Sequence, residues 1–301
     1  MLIAILLCVF ASAVSCGRGG GADETASAPR RTQETPQRII SLSPNTTEIL
    51  DGIGAFARVV AVSDYCDFPP EVKSLPRIGG WQNINLERVA SFRPDLIIMA
   101  EPQAPFIKDR LDALKIPTLV VPSRSLADVY TAMEQIGAAT GNTREAQELI
   151  IKTRAQVEDV RARTRDLPRR SVLCVVDRVP GTLRDLYSAS KGTFFVELIE
   201  AAGGDSIAPP AESGWGKITK EAVVALDPEV IIDMVQAAQG KLGEDPQAVW
   251  RELPRVRAVR NGRVHPLRET YVLHPSQFVG DTARRFAELI HPEAFAKEPK
   301  Q

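Results

Sequence analysis

Apolar and polar positions from residue 38 onward alternate between short strand patterns and amphipathic helix patterns. In the first half of this region, the pattern predicts strands over Arg38–Leu42, Arg58–Val62, Asp95–Met99 and Thr118–Val121, and helices over Asn45–Gly54, Asn85–Phe92 and Phe106–Lys115. In the second half, it predicts strands over Ser171–Asp177, Glu229–Met234 and Val264–Leu267, and helices over Phe194–Ala202, Thr219–Leu226 and Pro275–Ile290. This alternation indicates an α/β fold of two lobes, each with a mainly parallel sheet flanked by helices.

One longer helical pattern, Asn142–Asp166, lies between the two series. Its apolar positions recur at spacings of three and four, at Ala146, Leu149, Ile150, Thr153, Val157 and Val160. Asn142 followed by Glu145 predicts a capping box. At 1.5 Å per residue, such a helix is about 37 Å long. We therefore expect one long backbone helix to join an N-terminal lobe over residues 38–141 to a C-terminal lobe over residues 167–301.

The N-terminus is typical of an export signal. Residues 2–14 form an apolar run that is too short to span a bilayer but has the length of a signal-peptide core. The run ends in Ala13-Val14-Ser15-Cys16, which resembles the lipobox of bacterial lipoproteins, and this predicts a signal over residues 1–16 with Cys16 lipidated. An ordinary cleaved signal with an incidental cysteine is the alternative. Gly17–Gln37 has no large apolar residue and predicts a flexible tether. Because a lipidated export signal precedes this tether, we expect the protein outside the cytoplasm, anchored to a membrane.

Composition excludes several functional classes. The 301 residues are 44% hydrophobic and 25% charged, which is enough to bury a large core. A net charge of −1 provides no positive field for a nucleic acid. Four cysteines without a CxxC pair argue against a disulfide scaffold or zinc ribbon, and three histidines without ligand spacing argue against a metal site. The chain also lacks GxSxG, Walker and GxGxxG motifs, so we predict that it is not an enzyme.

The strongest internal signal is a repeat. Gly80–Ile98 aligns without a gap with Gly214–Ile232, at an offset of 134 residues. Eight positions are identical in the two copies, where chance would give about one or two. Each lobe is therefore predicted to contain the same unit: a Gly-Trp loop, a short helix capped by Asn85 or Thr219, a proline turn and a buried strand.

Two pairs of equivalent residues in the repeat are candidates for function. Trp81 and Trp215 are predicted in loops, where each could plug the end of its own lobe or line a cleft between the lobes as an aromatic platform. Glu87 and Glu221 take the second position of their helices, where a carboxylate favours the helix dipole. The same two carboxylates, one per lobe, could instead form a matched pair that a pseudo-symmetric partner recognises.

These residues also carry a family resemblance that extends from about Arg38 to about Phe295. The segments RIISLSPNTTEIL, VVAVSDYCDFPP, RPDLII and LIHPEAF, together with the Trp-Gln-x-x-Asn-Leu-Glu run, resemble the helical-backbone class of periplasmic substrate-binding proteins of ABC importers. Within that class the chain is most similar to the cobalamin-binding receptors, with the ferric-siderophore receptors next. The resemblance implies a monomeric receptor that captures a small molecule and delivers it to transporter permease subunits.

The resemblance also assigns roles to individual residues. It implies that Tyr65 and Trp81 contact a corrinoid from the N-terminal lobe, that Trp215 does so from the C-terminal lobe, and that Glu87 and Glu221 dock on arginines of the permease. Where these receptors have an Asp followed by a Trp, this chain has Thr270-Tyr271, so an aromatic residue remains at Tyr271 and the carboxylate is missing.

Three arginines are compatible with a second class of ligand. Arg178, Arg184 and Arg268 are candidates to face the cleft, and Arg178 and Arg268 would bind amide or phosphate groups of a corrinoid. Guanidinium groups also suit anionic ferric siderophores, through charge-assisted hydrogen bonds. We therefore expect a corrinoid as the transported ligand, with a ferric siderophore or haem as the alternative, and neither a resident cofactor nor a metal.

Overall fold

Four parallel strands form the N-terminal sheet in the computed structural model, which describes residues 35–239 and 245–295. The strands are β1 (Ile39–Ser41), β2 (Val59–Val62), β3 (Leu96–Ala100) and β4 (Thr118–Val121), in the order β2–β1–β3–β4. Every residue of β1 and β3 is buried, as is typical of strands covered by helices on both faces. The four strands agree with the sequence prediction.

The C-terminal sheet has six strands and is mixed. Its strands are β5 (Arg170–Asp177), β6 (Leu186–Ala189), β7 (Gly204–Ser206), β8 (Trp215–Ile218), β9 (Val230–Asp233) and β10 (Val264–Pro266). The order is β10–β9–β5–β6–β8, and β7 pairs with the first residues of β5. Only β6 runs antiparallel to its neighbours, β5 and β8. Strands β6, β7 and β8 are not predicted by the sequence pattern, because they are short and mix polar residues with apolar ones.

The helices cover the two sheets and connect them. In the first half they are α1 (Pro44–Gly52), α2 (Leu86–Ser91), α3 (Ala104–Asp112), α4 (Leu126–Thr140) and α5 (Thr143–Thr164). In the second half they are α6 (Phe194–Ala201), α7 (Lys220–Leu226), α8 (Val235–Gln239), α9 (Pro246–Trp250), α10 (Arg257–Arg260), α11 (Val279–Ile290) and α12 (Pro292–Phe295). Short 3-10 turns cover Phe56–Arg58, Pro70–Ser74, Glu101–Gln103 and Thr270–Leu273. No helix among the described residues has both the length and the apolar character that a bilayer span requires.

Helix α5 is the predicted connector, and its buried stripe is the predicted one. Its buried residues follow spacings of four and three: Ala146, Ile150, Thr153, Val157, Val160 and Thr164. The 22 residues of the helix span about 33 Å. It contacts α1 and α4 of the N-terminal lobe and α6 and α11 of the C-terminal lobe. One hydrophobic cluster runs through these helices, so the lobes share a core.

The capping box lies one helix earlier than predicted. Helix α4, which the sequence analysis missed, begins at a capping box of Ser125 and Asp128 and ends at Gly141 in the left-handed conformation. Asn142 makes no cap hydrogen bond to α5. Its amide instead donates to the Ile53 carbonyl oxygen and accepts from Arg58, which ties the start of α5 to the end of α1.

The two repeat copies share backbone detail beyond their identical residues. Arg93 and Asp227, which are 134 residues apart, both have a left-handed φ, of +45° and +44°, directly before a proline. Asp95 and Glu229, the equivalent pair two residues later, lie directly before β3 and β9. Asp95 accepts hydrogen bonds from the backbone N–H groups of Gln37 and Arg38, and Glu229 accepts one from the N–H of Ser171. Each carboxylate thus fastens the central strand of its own sheet.

Candidate functional site

The loops at the carboxyl ends of β1, β2 and β3 form one edge of the N-terminal lobe, because the strands are parallel. Tyr65 lies in the loop after β2 and is 60% exposed. A Cβ atom on Gly80 would lie 3.4 Å from both the Tyr65 hydroxyl and its ring carbon Cε2. The missing side chain at Gly80 therefore lets the Tyr65 ring lie beside the loop that carries Trp81, and the structure brings these two predicted residues together.

Two polar side chains, buried Gln103 and partly buried Arg77, hold this pair of loops in place. Gln103 Nε2 donates to the carbonyl oxygens of Trp81, at 3.1 Å, and of Leu42, at 3.2 Å, so the Trp81 loop is tied to the end of β1. Arg77 donates to the carbonyl oxygens of Ser63 and Cys66, which fixes the Tyr65 loop. Gln103 is not among the predicted site residues, although it is completely buried and lies four residues after the predicted strand Asp95–Met99.

Trp215 lies at the start of β8 and not in a loop, in contrast to the sequence prediction. The residue pairs with Ala189 of β6, and its ring packs edge-on against Phe195 with centroids 5.6 Å apart. It remains 39% exposed. The N–H of the neighbouring Phe194 donates to the carbonyl oxygen of Arg124 in the N-terminal lobe, at 2.6 Å. Trp215 is therefore held on the part of the C-terminal lobe that adjoins the N-terminal lobe.

Tyr271 lies in a 3-10 turn after β10 and also adjoins the N-terminal lobe. Its ring contacts Phe278 at 5.8 Å between centroids, and burial raises the pKa of its hydroxyl. The preceding Thr270 donates to a carboxylate oxygen of Asp67, two residues beyond Tyr65, at 2.6 Å. The loops that carry Tyr65 and Tyr271 are thus linked directly across the lobe boundary.

Arg178 does not face an open cleft, in contrast to the expectation for this residue. It is 2% exposed, and its Nε lies 3.0 Å from Oδ2 of Asp233. The same carboxylate oxygen accepts from the indole N–H of Trp250 at 2.7 Å, and Oδ1 accepts from the N–H of Val235. Once buried, a guanidinium requires such a partner, so Arg178 belongs to the interior of the C-terminal lobe. Arg268 is exposed after β10, as a ligand contact would require.

Glu87 and Glu221 both lie at the second position of their helices, α2 and α7, and both are exposed. The Asn85 side chain accepts from the N–H of Arg88, and the Thr219 hydroxyl accepts from the N–H of Ala222, so both predicted caps are present. Hydrogen bonds from its own backbone N–H and from Thr219 lower the pKa of Glu221. Cys16 lies outside the described residues, as do the signal over residues 1–16 and most of the tether.

The remaining thiols and imidazoles are packed into the protein. Cys66 and Cys174 are free and buried, and burial raises the pKa of both thiols. Burial also lowers the pKa of His265 to about 4, so its ring is neutral at neutral pH. His291 directly follows the last residue of α11. Within residues 35–239 and 245–295, no group of three or more His, Cys, Asp or Glu side chains could hold a metal ion.

A comparison with protein-family models identifies the class of this fold and site. The model described as periplasmic binding protein matches residues 39–271, which is more than half of the chain. The chain belongs to the periplasmic binding protein family. The match includes both copies of the repeat and ends at Tyr271, so it takes in Tyr65, Trp81, Trp215 and Tyr271.

Known relatives of this periplasmic binding protein extend the comparison. A Bacillus subtilis (strain 168) protein named as an uncharacterized ABC transporter substrate-binding lipoprotein, YvrC, is 28% identical over 280 residues, which cover 91% of this chain and 86% of the relative. A vitamin B12-binding protein of Yersinia pestis (strain Pestoides F) is 30% identical over 221 residues, which cover 72% and 75%. The structure of a periplasmic heme binding protein from Pseudomonas aeruginosa has a TM-score of 0.75 at 22% identity, covering 88% of this chain and 95% of that chain.

These relatives set the general activity of the periplasmic binding protein. They are substrate-binding proteins of transport systems, so this chain is a substrate-binding protein of an ABC transporter and not an enzyme. It binds a small ligand and works with the permease subunits of that transporter. The structural likeness confirms the predicted α/β fold of two lobes.

Proposed function

We propose that this protein binds cobalamin or a related corrinoid between its two lobes and delivers it to the permease. The observation that carries this proposal is the placement of solvent-accessible aromatic side chains on both lobes: exposed Tyr65 and half-buried Trp81 on one, exposed Trp215 and half-buried Tyr271 on the other. Flat, rigid rings provide a large apolar contact area for a bulky macrocycle at a small cost in conformational entropy. The 30% identity to a vitamin B12-binding protein supports the same ligand class.

The proposal also includes the anchor and the docking surface. Cys16 carries the lipid, residues 17–37 form the tether, and Glu87 and Glu221 bind permease arginines from the two lobes. The name of the Bacillus subtilis relative as a lipoprotein supports the anchor. In this proposal the protein is a monomer outside the cytoplasm. Replacing Cys16 with Ser should move the protein from the membrane fraction to the soluble fraction, and an unchanged distribution would contradict the anchor.

A ferric siderophore or haem is the second candidate ligand. The structural likeness to a periplasmic heme binding protein favours haem, and the exposed Arg268 at the end of the C-terminal sheet could pair with a carboxylate of such an anionic ligand. With a corrinoid, the same guanidinium would bind a peripheral amide or phosphate group. Replacement of Arg268 with Gln should therefore weaken the binding of an anionic ferric chelate much more than that of cobinamide.

Titration of the domain from Arg38 to Gln301 tests the proposed ligand. Cyanocobalamin, dicyanocobinamide, haemin and a panel of ferric siderophores are titrated by tryptophan fluorescence and by calorimetry. We expect saturable one-to-one binding of a corrinoid, weakened roughly tenfold or more by Trp81→Ala or Trp215→Ala. Trp250→Phe is the matched control, because Trp250 is fully buried and its replacement should leave the affinity unchanged. Tight binding of haemin or of a ferric siderophore, without corrinoid binding, would replace the proposed ligand.

A further inference from the structure

One contact between the lobes joins two side chains that the ligand proposal does not use. Glu48 lies on α1 of the N-terminal lobe and is 1% exposed. Its Oε1 lies 2.5 Å from Nδ1 of His274, which follows the 3-10 turn that contains Tyr271. The backbone carbonyl oxygen of Glu48 also accepts from Gln277 Nε2 at 2.7 Å. One turn of α1 therefore holds two residues of the C-terminal lobe.

The Glu48 carboxylate depends on this contact. Its second oxygen, Oε2, is buried and has no hydrogen-bond partner among the described residues. A buried carboxylate is costly unless it is paired, and His274 is the partner that the described part of the chain provides for its side chain. The Glu48 side chain thus favours the arrangement in which the His274 segment lies against α1.

The same segment meets the Tyr65 loop a few residues away. Phe68 packs edge-on against Phe278 with ring centroids 5.0 Å apart, and Phe278 in turn contacts Tyr271. Thr270 donates to Asp67, as described above. Contacts to the N-terminal lobe therefore lie on both sides of Tyr271 in the sequence.

We propose that Glu48 and His274 are positioning residues that hold the segment Thr270–Phe278 against the N-terminal lobe, so that Tyr271 and Tyr65 form one rigid ligand-contacting wall. The proposal rests on the proposed function for the role of the two tyrosines. In this arrangement, Tyr271 is part of the C-terminal lobe in sequence, but contacts with α1 and with the Tyr65 loop of the N-terminal lobe fix its position. A ligand then meets a wall that is already ordered, which lowers the entropic cost of binding.

The first test compares His274→Ala with His274→Asn. An asparagine amide N–H can replace the Nδ1–H of the imidazole as a donor to Glu48, whereas alanine leaves the buried carboxylate without a partner. We expect His274→Ala to raise the Kd for the corrinoid or haem that binds wild type by about tenfold, mainly through faster dissociation. His274→Asn should restore the Kd to within about twofold of wild type.

The matched control is His291→Ala. His291 is also buried, and its hydrogen-bond partners, Gly203 and Glu293, belong to the C-terminal lobe. Denaturant unfolding of all variants identifies conditions in which each is folded. His291→Ala should leave the ligand dissociation rate unchanged there. If it raises the Kd as much as His274→Ala does, general destabilisation accounts for the effect and the proposal is wrong.

A second measurement needs no ligand. Hydrogen exchange of the full chain reports on the amides of the segment, including Val272, His274 and Ser276, each of which donates to a nearby carbonyl oxygen. We expect faster exchange over residues 270–278 in His274→Ala and not in His291→Ala. Unchanged exchange in His274→Ala would overturn the proposal. A wild-type protein that binds no corrinoid would overturn the proposed ligand, while faster exchange in His274→Ala would still support the placement of Tyr271 by His274.

Discussion

Met99 and Asp233 directly follow the two copies of the repeat, at equivalent positions 134 residues apart, and each is buried, in β3 and in β9. In the N-terminal lobe the position is filled by an apolar side chain within a hydrophobic cluster. In the C-terminal lobe the carboxylate is matched by Arg178, Trp250 and the N–H of Val235. The same buried strand position can therefore hold either an apolar side chain or a carboxylate, provided that the carboxylate is paired with buried hydrogen-bond donors.

The tryptophans of the two copies differ in a second way. Trp81 stands in a bend that Gln103 ties to β1, whereas Trp215 begins a strand that pairs with β6. The C-terminal sheet has the β6 and β8 pair as an addition to the pattern of the N-terminal sheet. The same Gly-Trp sequence is thus compatible with two backbone environments, because long-range strand pairing is set by residues outside the repeat.

The largest expected effect tests whether both copies dock. Reversing both carboxylates, Glu87→Lys with Glu221→Lys, should reduce ligand uptake by cells to background, because two repelling contacts replace two attractive ones at the permease. The ligand affinity of the purified protein should not change. Glu134→Lys with Glu158→Lys, which reverses two exposed charges on α4 and α5, is the control and should leave uptake intact. Persistent uptake in the Glu87 and Glu221 double variant would contradict the docking assignment.

The next effect concerns the buried ion pair of the C-terminal lobe. Asp233→Met alone leaves the Arg178 guanidinium buried without its carboxylate and should lower the free energy of unfolding by about 3–5 kcal/mol. Asp233→Met combined with Arg178→Met should recover part of that loss, because the buried charge is removed while the N–H groups of Trp250 and Val235 still lose their acceptor. Met99→Leu is the control and should cost less than about 1.5 kcal/mol. Denaturant unfolding measures all four values, and a double variant no better than the single one would refute the comparison.

A smaller effect on the free energy of unfolding distinguishes Arg93 from Asp227, the equivalent residues with a left-handed φ. Arg93→Gly should raise the free energy of unfolding by about 0.5 kcal/mol, because relief at φ +45° exceeds the entropy that glycine adds to the unfolded chain. Asp227→Gly should lower it by about 1 kcal/mol, because the Asp227 carboxylate accepts from the backbone N–H and the Nε of Arg257. Thermal or denaturant unfolding distinguishes these opposite signs, and equal shifts would show that backbone strain alone decides the effect.

The smallest expected effect is the pH dependence of the contribution that the Glu229 carboxylate, which accepts from Ser171 of β5, makes to the free energy of unfolding. The hydrogen bond from the Ser171 N–H lowers the pKa of Glu229 in the folded protein. A lowered pKa stabilises the fold above the unfolded pKa of about 4.3, and the contribution is lost as the pH falls through the folded pKa. Glu229→Gln should therefore cost less than about 1 kcal/mol at pH 7, because the group is partly exposed. The difference from wild type should shrink below about pH 4.5.

Ser171→Ala sharpens this last measurement. The variant removes the hydroxyl that lies 3.2 Å from Glu229 but keeps the backbone N–H at 2.9 Å. Its pH profile of unfolding should therefore lie between those of wild type and Glu229→Gln. A wild-type advantage over Glu229→Gln that grows as the pH falls would contradict the role of the carboxylate.

Local patterns in the sequence determined the strands of the parallel core, the connector helix and the repeat with its two caps. Each of these depends on residues within a few positions of one another: the apolar stripe of α5, or Asn85 and Thr219 accepting from N–H groups three residues later. The family resemblance was also contained in such short segments. Helix α4 has equally local signals in Ser125, Asp128 and Gly141, so its bounds are also contained in the local sequence.

Tertiary structure alone decided the contacts between distant residues. The burial of Arg178 depends on Asp233, 55 residues later, and the placement of the Tyr271 segment depends on Glu48, more than 220 residues earlier. The strand environment of Trp215 is set by its pairing with Ala189. The physical reason is that a charged or aromatic side chain is stabilised by whichever partners the folded chain brings near it, and a linear pattern records neither their distance nor their burial.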